Sequence, residues 1–418
     1  MYSCKDMANN SDSYSLNNSI NSSNKNNLLA LQTSAFTIVD MLARSKLISQ
    51  AVCIVAKLKI ADYLKDGPKS VDELAEESKT HPDSLYRLLR MLSSVGIFAE
   101  TKQEEGEGQQ GHNNQRKFEL TPMASLLQSE AKNSIRNFAL LFGLESFNRA
   151  IDDLSYSIET GENSFKHANG LDIFEYFQQN QKEAQIFNSA MTSLTSLHVS
   201  SITSMYNFSQ FNAVVDIGGG QGILLSTILK NNPNLHGILF DLPHAIESAK
   251  KLYVSNATTN SQDHNNNNDD ALSRCKLIEG DFFKSIPAAP DADCCYIIKN
   301  VILNWDDESA AVILKNCLQA MKKTKTTMTM NANQDNNNNK QKIHPKLLII
   351  DTIMPEGNEL FVGKFTDILM LALTHKGRIR TEKEFHKLLN SSGFDIANII
   401  RSPDSANFLS IIEATPSS

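Results

Sequence analysis

The run Val214-Val215-Asp216-Ile217-Gly218-Gly219-Gly220-Gln221-Gly222 constrains this chain more than any other. Apolar residues in Phe211–Val215, followed by Ile217, predict a buried parallel strand. A glycine cluster follows at once. Behind it, Ile223–Lys230 carries apolar residues at helical spacing, so the order is strand, glycine turn, helix. Glycines let the backbone bend sharply and let a ligand come within van der Waals distance. The helix N-terminus adds free N–H groups and a partial positive charge. The spacing does not name the ligand. A dinucleotide fingerprint would place a third glycine where Ile223 stands. No G-x-x-x-x-G-K-[ST] is present, and no arginine near the loop could hold a pyrophosphate.

Later strands sharpen the reading. His236–Phe240 runs into Asp241, about 20 residues past the turn, where an acidic side chain commonly meets ribose hydroxyls. Lys276–Ile278 ends in Gly280-Asp281-Phe282-Phe283, and Cys294–Lys299 leads to Asn304-Trp305-Asp306-Asp307-Glu308. Acidic residues at successive strand ends face one crevice of an open sheet, which suits an adenosine. Leu347–Ile350 is the next strand and ends in Asp351. Helices are expected at Ala310–Met321, Phe365–Leu373 and Glu382–Leu389, and strands at Ile396–Ile400 and Phe408–Ile412. This alternation predicts an α/β fold with a mostly parallel, doubly wound sheet.

The first part of the chain reads differently. Residues 1–27 are rich in Asn and Ser and are expected to be a disordered tail. Leu47–Leu64 has the periodicity of one buried or dimer-forming helix, ended by Gly67-Pro68. Ser70 and Glu73 form a capping box. A second helix starts near Pro82, and Ile97–Ala99 can pair with Phe118–Leu120. Together these make a winged helix-turn-helix over 28–133. A helical segment over 134–208 and the glycine-turn domain over 209–418 follow. DNA binding is disfavoured. The second helix offers Arg87 and Arg90, but it also carries Asp83, and Asp72, Glu73, Glu76 and Glu77 precede it, whereas a reading helix should be basic. Polar tracts at Thr101–Gln115, Asn256–Asp270 and Thr324–Lys342 read as tolerated insertions.

Composition excludes several classes. A net charge of −7 creates no field that would attract nucleic acid or an anionic membrane. No apolar run approaches the ~20 residues of a membrane helix, and no signal-like segment opens the chain. The six cysteines show no C-x-x-C spacing, so neither a metal nor a redox site is indicated. A cytoplasmic protein with reduced thiols is expected.

The segments VVDIGGGQG, FDLP (Phe240–Pro243), GDFF (Gly280–Phe283) and IIKNVILNWDDE (Ile297–Glu308) together resemble S-adenosylmethionine-dependent O-methyltransferases of the plant caffeate and animal hydroxyindole type. The resemblance extends over most of residues 40–413. It implies a Rossmann-like class I methyltransferase domain behind an N-terminal winged-helix dimerisation domain, with Asp66–Glu100 serving dimerisation. It further implies S-adenosylmethionine as cofactor, a small hydroxylated aromatic acceptor, and a homodimer. Carried over by position, Gly218 lies beside the methionyl part and Asp241 takes the ribose. Asp281 and Phe282 hold the adenine, with Trp305 packing nearby, and Lys299 fixes the methionine end. Phe187 and Met191 would clamp a planar acceptor. Their i, i+4 spacing alone reads as core.

One part of the resemblance fails. The family places a histidine two residues before the tryptophan, followed by aspartate; this chain has Leu303 and Asn304. Of the family's two supporting glutamates, one maps to Asp351, a possible residual acid, and the other to Ile379. A phenol titrates near pH 10, so about one part in 10³ is ionised at pH 7. A positioned base is worth ~10²–10⁴ in rate. With leucine and isoleucine at two of these positions, the expectation is a folded, dimeric family member that is inactive or strongly impaired. An alternative is an active enzyme using a pre-ionised acceptor, or His198 or His375 as surrogate base. Another is a non-catalytic partner that forms a heterodimer with an active methyltransferase.

Overall fold

The computed structural model describes residues 35–101, 116–259, 273–331, 345–402 and 409–417. The predicted tail at 1–27 and most of the three polar tracts lie outside these residues. Two units divide the chain, 1–49 and 50–418. In the first, helix α1 (Ala35–Ala43) leads into the start of α2 (Ser45–Lys57). Asp40 accepts from Arg44 Nε at 2.9 Å across one turn, and Ile38, Val39, Met41, Leu42 and Leu47 are exposed.

The second unit opens with the rest of α2. The single helix expected over Leu47–Leu64 is broken. Lys59 takes a left-handed conformation at φ 58°, and a short helix α3 (Ile60–Tyr63) follows, ending before Gly67-Pro68. The break brings Ile60, Ala61 and Leu64 into one core with Leu74, Leu89, Phe98 and Phe118. Helix α4 (Val71–Ser78) starts on the predicted capping box, with both Ser70–Glu73 hydrogen bonds formed. Helix α5 (Pro82–Ser94) follows. The wing has three strands where two were expected. The strand β1 (Lys69–Ser70) pairs with β3 (Lys117–Leu120), which also pairs with β2 (Phe98–Thr101). A short helix α6 (Pro122–Ser125) and five more, α7–α11, within 136–179 precede the 25-residue α12 (Gln181–Met205).

The main sheet has seven strands in the order β6-β5-β4-β7-β8-β10-β9. They are β4 (Ala213–Ile217), β5 (His236–Asp241), β6 (Cys275–Glu279), β7 (Cys294–Lys299), β8 (Lys346–Thr352), β9 (Phe394–Arg401) and β10 (Leu409–Pro416). The first five are mutually parallel, and β10 runs antiparallel to both neighbours. Strand order reverses between β4 and β7, where open sheets of this kind bind ligands. Side chains alternate across the sheet. Val215, Ile217 and Ile298 face α15 (Asp307–Asn331) and α17 (Glu382–Ser391). Val214, Leu239 and Ile297 face α12 and α13 (Ile223–Asn231). Several boundaries differ from the sequence reading. Both α14 (Pro243–Thr259) and α15 continue into tracts read as insertions. No glycine or proline lies between Lys322 and Asn331 to stop α15. Helix α16 (Val362–Leu373) starts three residues before its expected first turn.

Candidate active site

The glycine turn closes over the end of β4. Gly218 has φ +69°, a left-handed conformation, and a Cβ there would lie 2.8 Å from Val301 Cγ2. Any larger residue would therefore be strained and would run into Val301. A Cβ at Gly219 would lie 2.5 Å from Asp216 Oδ2, so the turn lies directly on that carboxyl group. Asp241 is tied to the same turn. Its Oδ2 accepts from Gly220 N at 2.8 Å and its Oδ1 from Leu242 N at 2.6 Å.

Sequence reasoning passed over Asp216, because its place within a buried strand hid it. The structure puts it beneath the turn, 1% exposed, with Oδ2 lacking a hydrogen-bond partner. Burial raises its pKa to about 7; the Lys299 charge acts the other way. Lys299 ends β7 and donates to Thr195 Oγ1 on α12 at 3.1 Å. Loss of water pulls its pKa down to about 8, against the pull of Asp216 and Asp351. Helix α12 is fastened to the turn a second time, by Thr192 Oγ1 to Gln221 Oε1 at 2.7 Å. The site residues Gly218, Asp241 and Lys299 thus converge on the β4–β7 switch point, with Asp216 among them.

An aromatic group forms the next wall. Phe283 meets Trp305 edge-on at 4.7 Å, Phe282 meets Trp305 at 6.2 Å, and Phe174 stacks on Trp305 at 5.9 Å and 27°. Asp281 accepts from Phe283 N and so shapes this corner. Phe187 and Met191 are half-buried on α12 against a core that includes Phe177, with Phe177 and Phe187 centroids 4.9 Å apart. Leu369 touches this core and also the small cluster beyond it.

That small cluster is Leu303, Met370 and Ile379, with Met354 and Leu369 against it. Leu303 and Ile379, which stand where the resemblance implies polar side chains, therefore share one cluster. Asp351 lies alongside, 1% exposed. Its Oδ1 accepts from Thr352 N at 2.8 Å, and its Oδ2 has no hydrogen-bond partner. Burial raises its pKa to about 7, while the neighbouring N–H groups of Thr352 and Leu303 and the charges of Arg380 and Lys299 favour its ionised form. The two histidines considered as surrogate bases lie on neighbouring segments, and the His375 charge acts on Asp306. His375 is exposed after α16, and His198 lies on α12 one turn past Thr195.

A second residue missed from sequence holds the loop in place. Arg380 is fully buried. It donates to the carbonyls of Ile302 at 3.0 Å and Trp305 at 2.8 Å, and to Asp307 at 2.9 Å. Arg378 N also donates to Leu303 O at 2.8 Å, and Ile379 N to Asp367 on α16 at 2.7 Å. The isobutyl group of Leu303 is thereby fixed.

The residues fit an adenosine bearing a methionine chain. The turn is bare of side chains, with open space where a Gly220 Cβ would stand, the aromatic corner offers a flat face, and an unpartnered buried carboxyl beside a lysine suits an amino-acid end. No group of three or more His, Cys, Asp or Glu suited to a metal occurs among the described residues, and no described helix is long and apolar enough to cross a membrane.

Comparison with known proteins adds to this geometry. Residues 151–395 match the family described as "O-methyltransferase domain", and residues 41–130 match "O-methyltransferase dimerisation domain". A phenazine O-methyltransferase of Lysobacter antibioticus is 34% identical, over 88% of this chain and 93% of that protein. An 8-amino-8-demethylriboflavin N,N-dimethyltransferase of Streptomyces davaonensis is 30% identical, over 82% of this chain and 86% of that protein. The solved structure of a mitomycin 7-O-methyltransferase superposes with a TM-score of 0.73, at 27% identity, covering 93% of this chain and 100% of that one.

Proposed function

The chain belongs to the S-adenosylmethionine-dependent O-methyltransferase family, and on that premise we propose that it methylates a small flat aromatic acceptor only where the accepting atom is reactive without a protein base. Toward un-ionised hydroxyls it is inactive or strongly impaired. One observation carries the reading. Leu303 is packed with Ile379 and Met370 in a closed apolar cluster, at the position where the family resemblance calls for an imidazole.

When bound, S-adenosylmethionine supplies an electrophilic methyl group on a sulfonium. The chain's own residues bind and orient. Gly218 admits the methionyl part, Asp216 and Lys299 face its charged end, and Asp241 stands at the ribose. Asp281 and Phe282 border the adenine. Phe187 and Met191 border the acceptor ring, and Trp305 separates the two aromatic surfaces. Proximity and orientation of two reactants can replace much of a barrier without any proton acceptor. An acceptor whose reacting atom already carries a free electron pair gains from this, in a site where Leu303, Ile379 and Met370 exclude water. The family's relatives act on varied rings, and one is named an N,N-dimethyltransferase, so the acceptor atom of this chain is open to chemistry beyond oxygen.

Calorimetric titration with S-adenosylmethionine, followed by turnover with hydroxylated aromatics graded in acidity, tests the reading. Donor binding with turnover confined to the acidic hydroxyls supports it. Fast methylation of an ordinary neutral phenol at pH 7 contradicts it.

A further inference from the structure

Resting on the reading above, in which the donor is S-adenosylmethionine, we infer that the accepting atom is the nitrogen of a neutral aromatic amine. Two observations at the acceptor wall lead there. The wall beside the Leu303 loop is Leu303, Met370, Ile379 and Met354, none of which can take a proton. Next to it, Asp351 is buried with Oδ2 lacking any hydrogen-bond donor. A hydroxyl acceptor uses such a wall badly, since its proton must leave by the transition state. An aromatic amine uses it well. Its lone pair is delocalised into the ring, so the nitrogen is unprotonated at neutral pH, and nothing has to be removed first.

The step balances without a protein base. The nitrogen lone pair forms the new N–C bond while the C–S bond breaks, and that electron pair stays on sulfur as a neutral thioether. Positive charge passes from sulfur to nitrogen. The resulting ammonium gives its proton to water after transfer, outside the rate-limiting geometry. Asp351 adds selectivity. An amine N–H can donate to its unpartnered Oδ2, and an ionised hydroxyl has no proton to donate. Phe174 and Trp305, stacked at 27°, border the site with flat apolar surface.

The experiment uses the full chain and matched pairs on one ring system: 1-naphthylamine with 1-naphthol, and 8-aminoquinoline with 8-hydroxyquinoline. Trp305 is the only tryptophan in the chain, so its fluorescence reads ring occupancy independently of turnover. Calorimetry with S-adenosylmethionine reads the donor. We expect both members of a pair to quench Trp305, and the amine to give N-methyl product about 10²-fold faster than its partner at pH 7, the lower end of what a missing base costs. The amine rate should change only once, with the titration of Asp351 at about pH 7, and the hydroxyl rate should keep climbing with the acceptor's own ionisation. Leu303→His should narrow the ratio by raising the hydroxyl rate. O-methyl product at an equal or greater rate overturns the inference, and so does binding of donor and amine with no N-methyl product. Failure to bind the donor at all overturns the underlying reading instead, and calorimetry alone identifies that case.

Discussion

A carboxyl group closed off from water holds its proton to higher pH, and Asp216 and Asp351 both titrate near 7 for this reason. Each is raised above its unfolded value near 3.8. Such a group contributes stability fully below its unfolded pKa, and the contribution is lost as pH rises through the folded one. The window therefore runs from about pH 4 to about pH 7. Asp216→Asn removes this dependence at one site. Its urea midpoint, measured against the parent, should rise in relative terms between pH 5 and pH 8, and a gap that stays constant would count against a buried, late-titrating Asp216. Neither this residue nor Arg380 was legible in the sequence. A lone aspartate in an apolar strand and an arginine in a polar run look the same whether buried or exposed, because burial is set by elements far away in the chain. Leu303 and Ile379 were legible, since the flanking Trp305 and Thr381 fix their register. That they touch one cluster was not.

At the level of elements, the turn after β4 and the loop after β7 build the site together, and Arg380 couples the second of these to the segment before α17. Two backbone carbonyls and a half-exposed carboxylate accept from it. Arg380→Ala would leave both carbonyls without that donor and open a void. The expected loss is about 3 kcal/mol or more, read from chemical denaturation, because bonds to charged donors are worth about 1.5–3 kcal/mol each. Arg380→Lys can restore one contact but not the fork, so a partial loss is expected. An alanine variant as stable as the parent would show that the loop holds itself. The strands were legible because periodicity and the glycine turn agree. Helix ends were not: α14 and α15 continue through polar residues that composition alone assigns to loops, since polar composition does not end a helix without a glycine or proline.

For the whole molecule, residues 41–130 match a dimerisation domain, and we take the working form to be a homodimer. Sedimentation should give twice the 46.4 kDa chain mass, with one chain type on mass spectrometry. A second methyltransferase chain co-purifying in equal amount would favour the regulatory-partner alternative instead. The order of layers, parallel sheet behind a winged domain, was legible because each half has its own punctuation: a capping box and Pro82 in one, glycines in the other. The third wing strand was hidden in two residues, Lys69 and Ser70, too few for any pattern.

These scales meet in the proposed acceptor pocket, where Leu303 stands at the position for which the family resemblance implies a proton acceptor. The most direct test is the rate of methyl transfer to a hydroxylated aromatic of known acidity, followed from pH 6 to 10 in the parent and in Leu303→His. For the parent, the rate should rise about tenfold per pH unit up to the acceptor's own pKa. The variant should plateau near pH 7, about 10²-fold higher or more. A parent profile that is already flat near neutrality, with no gain from the histidine, would contradict the account.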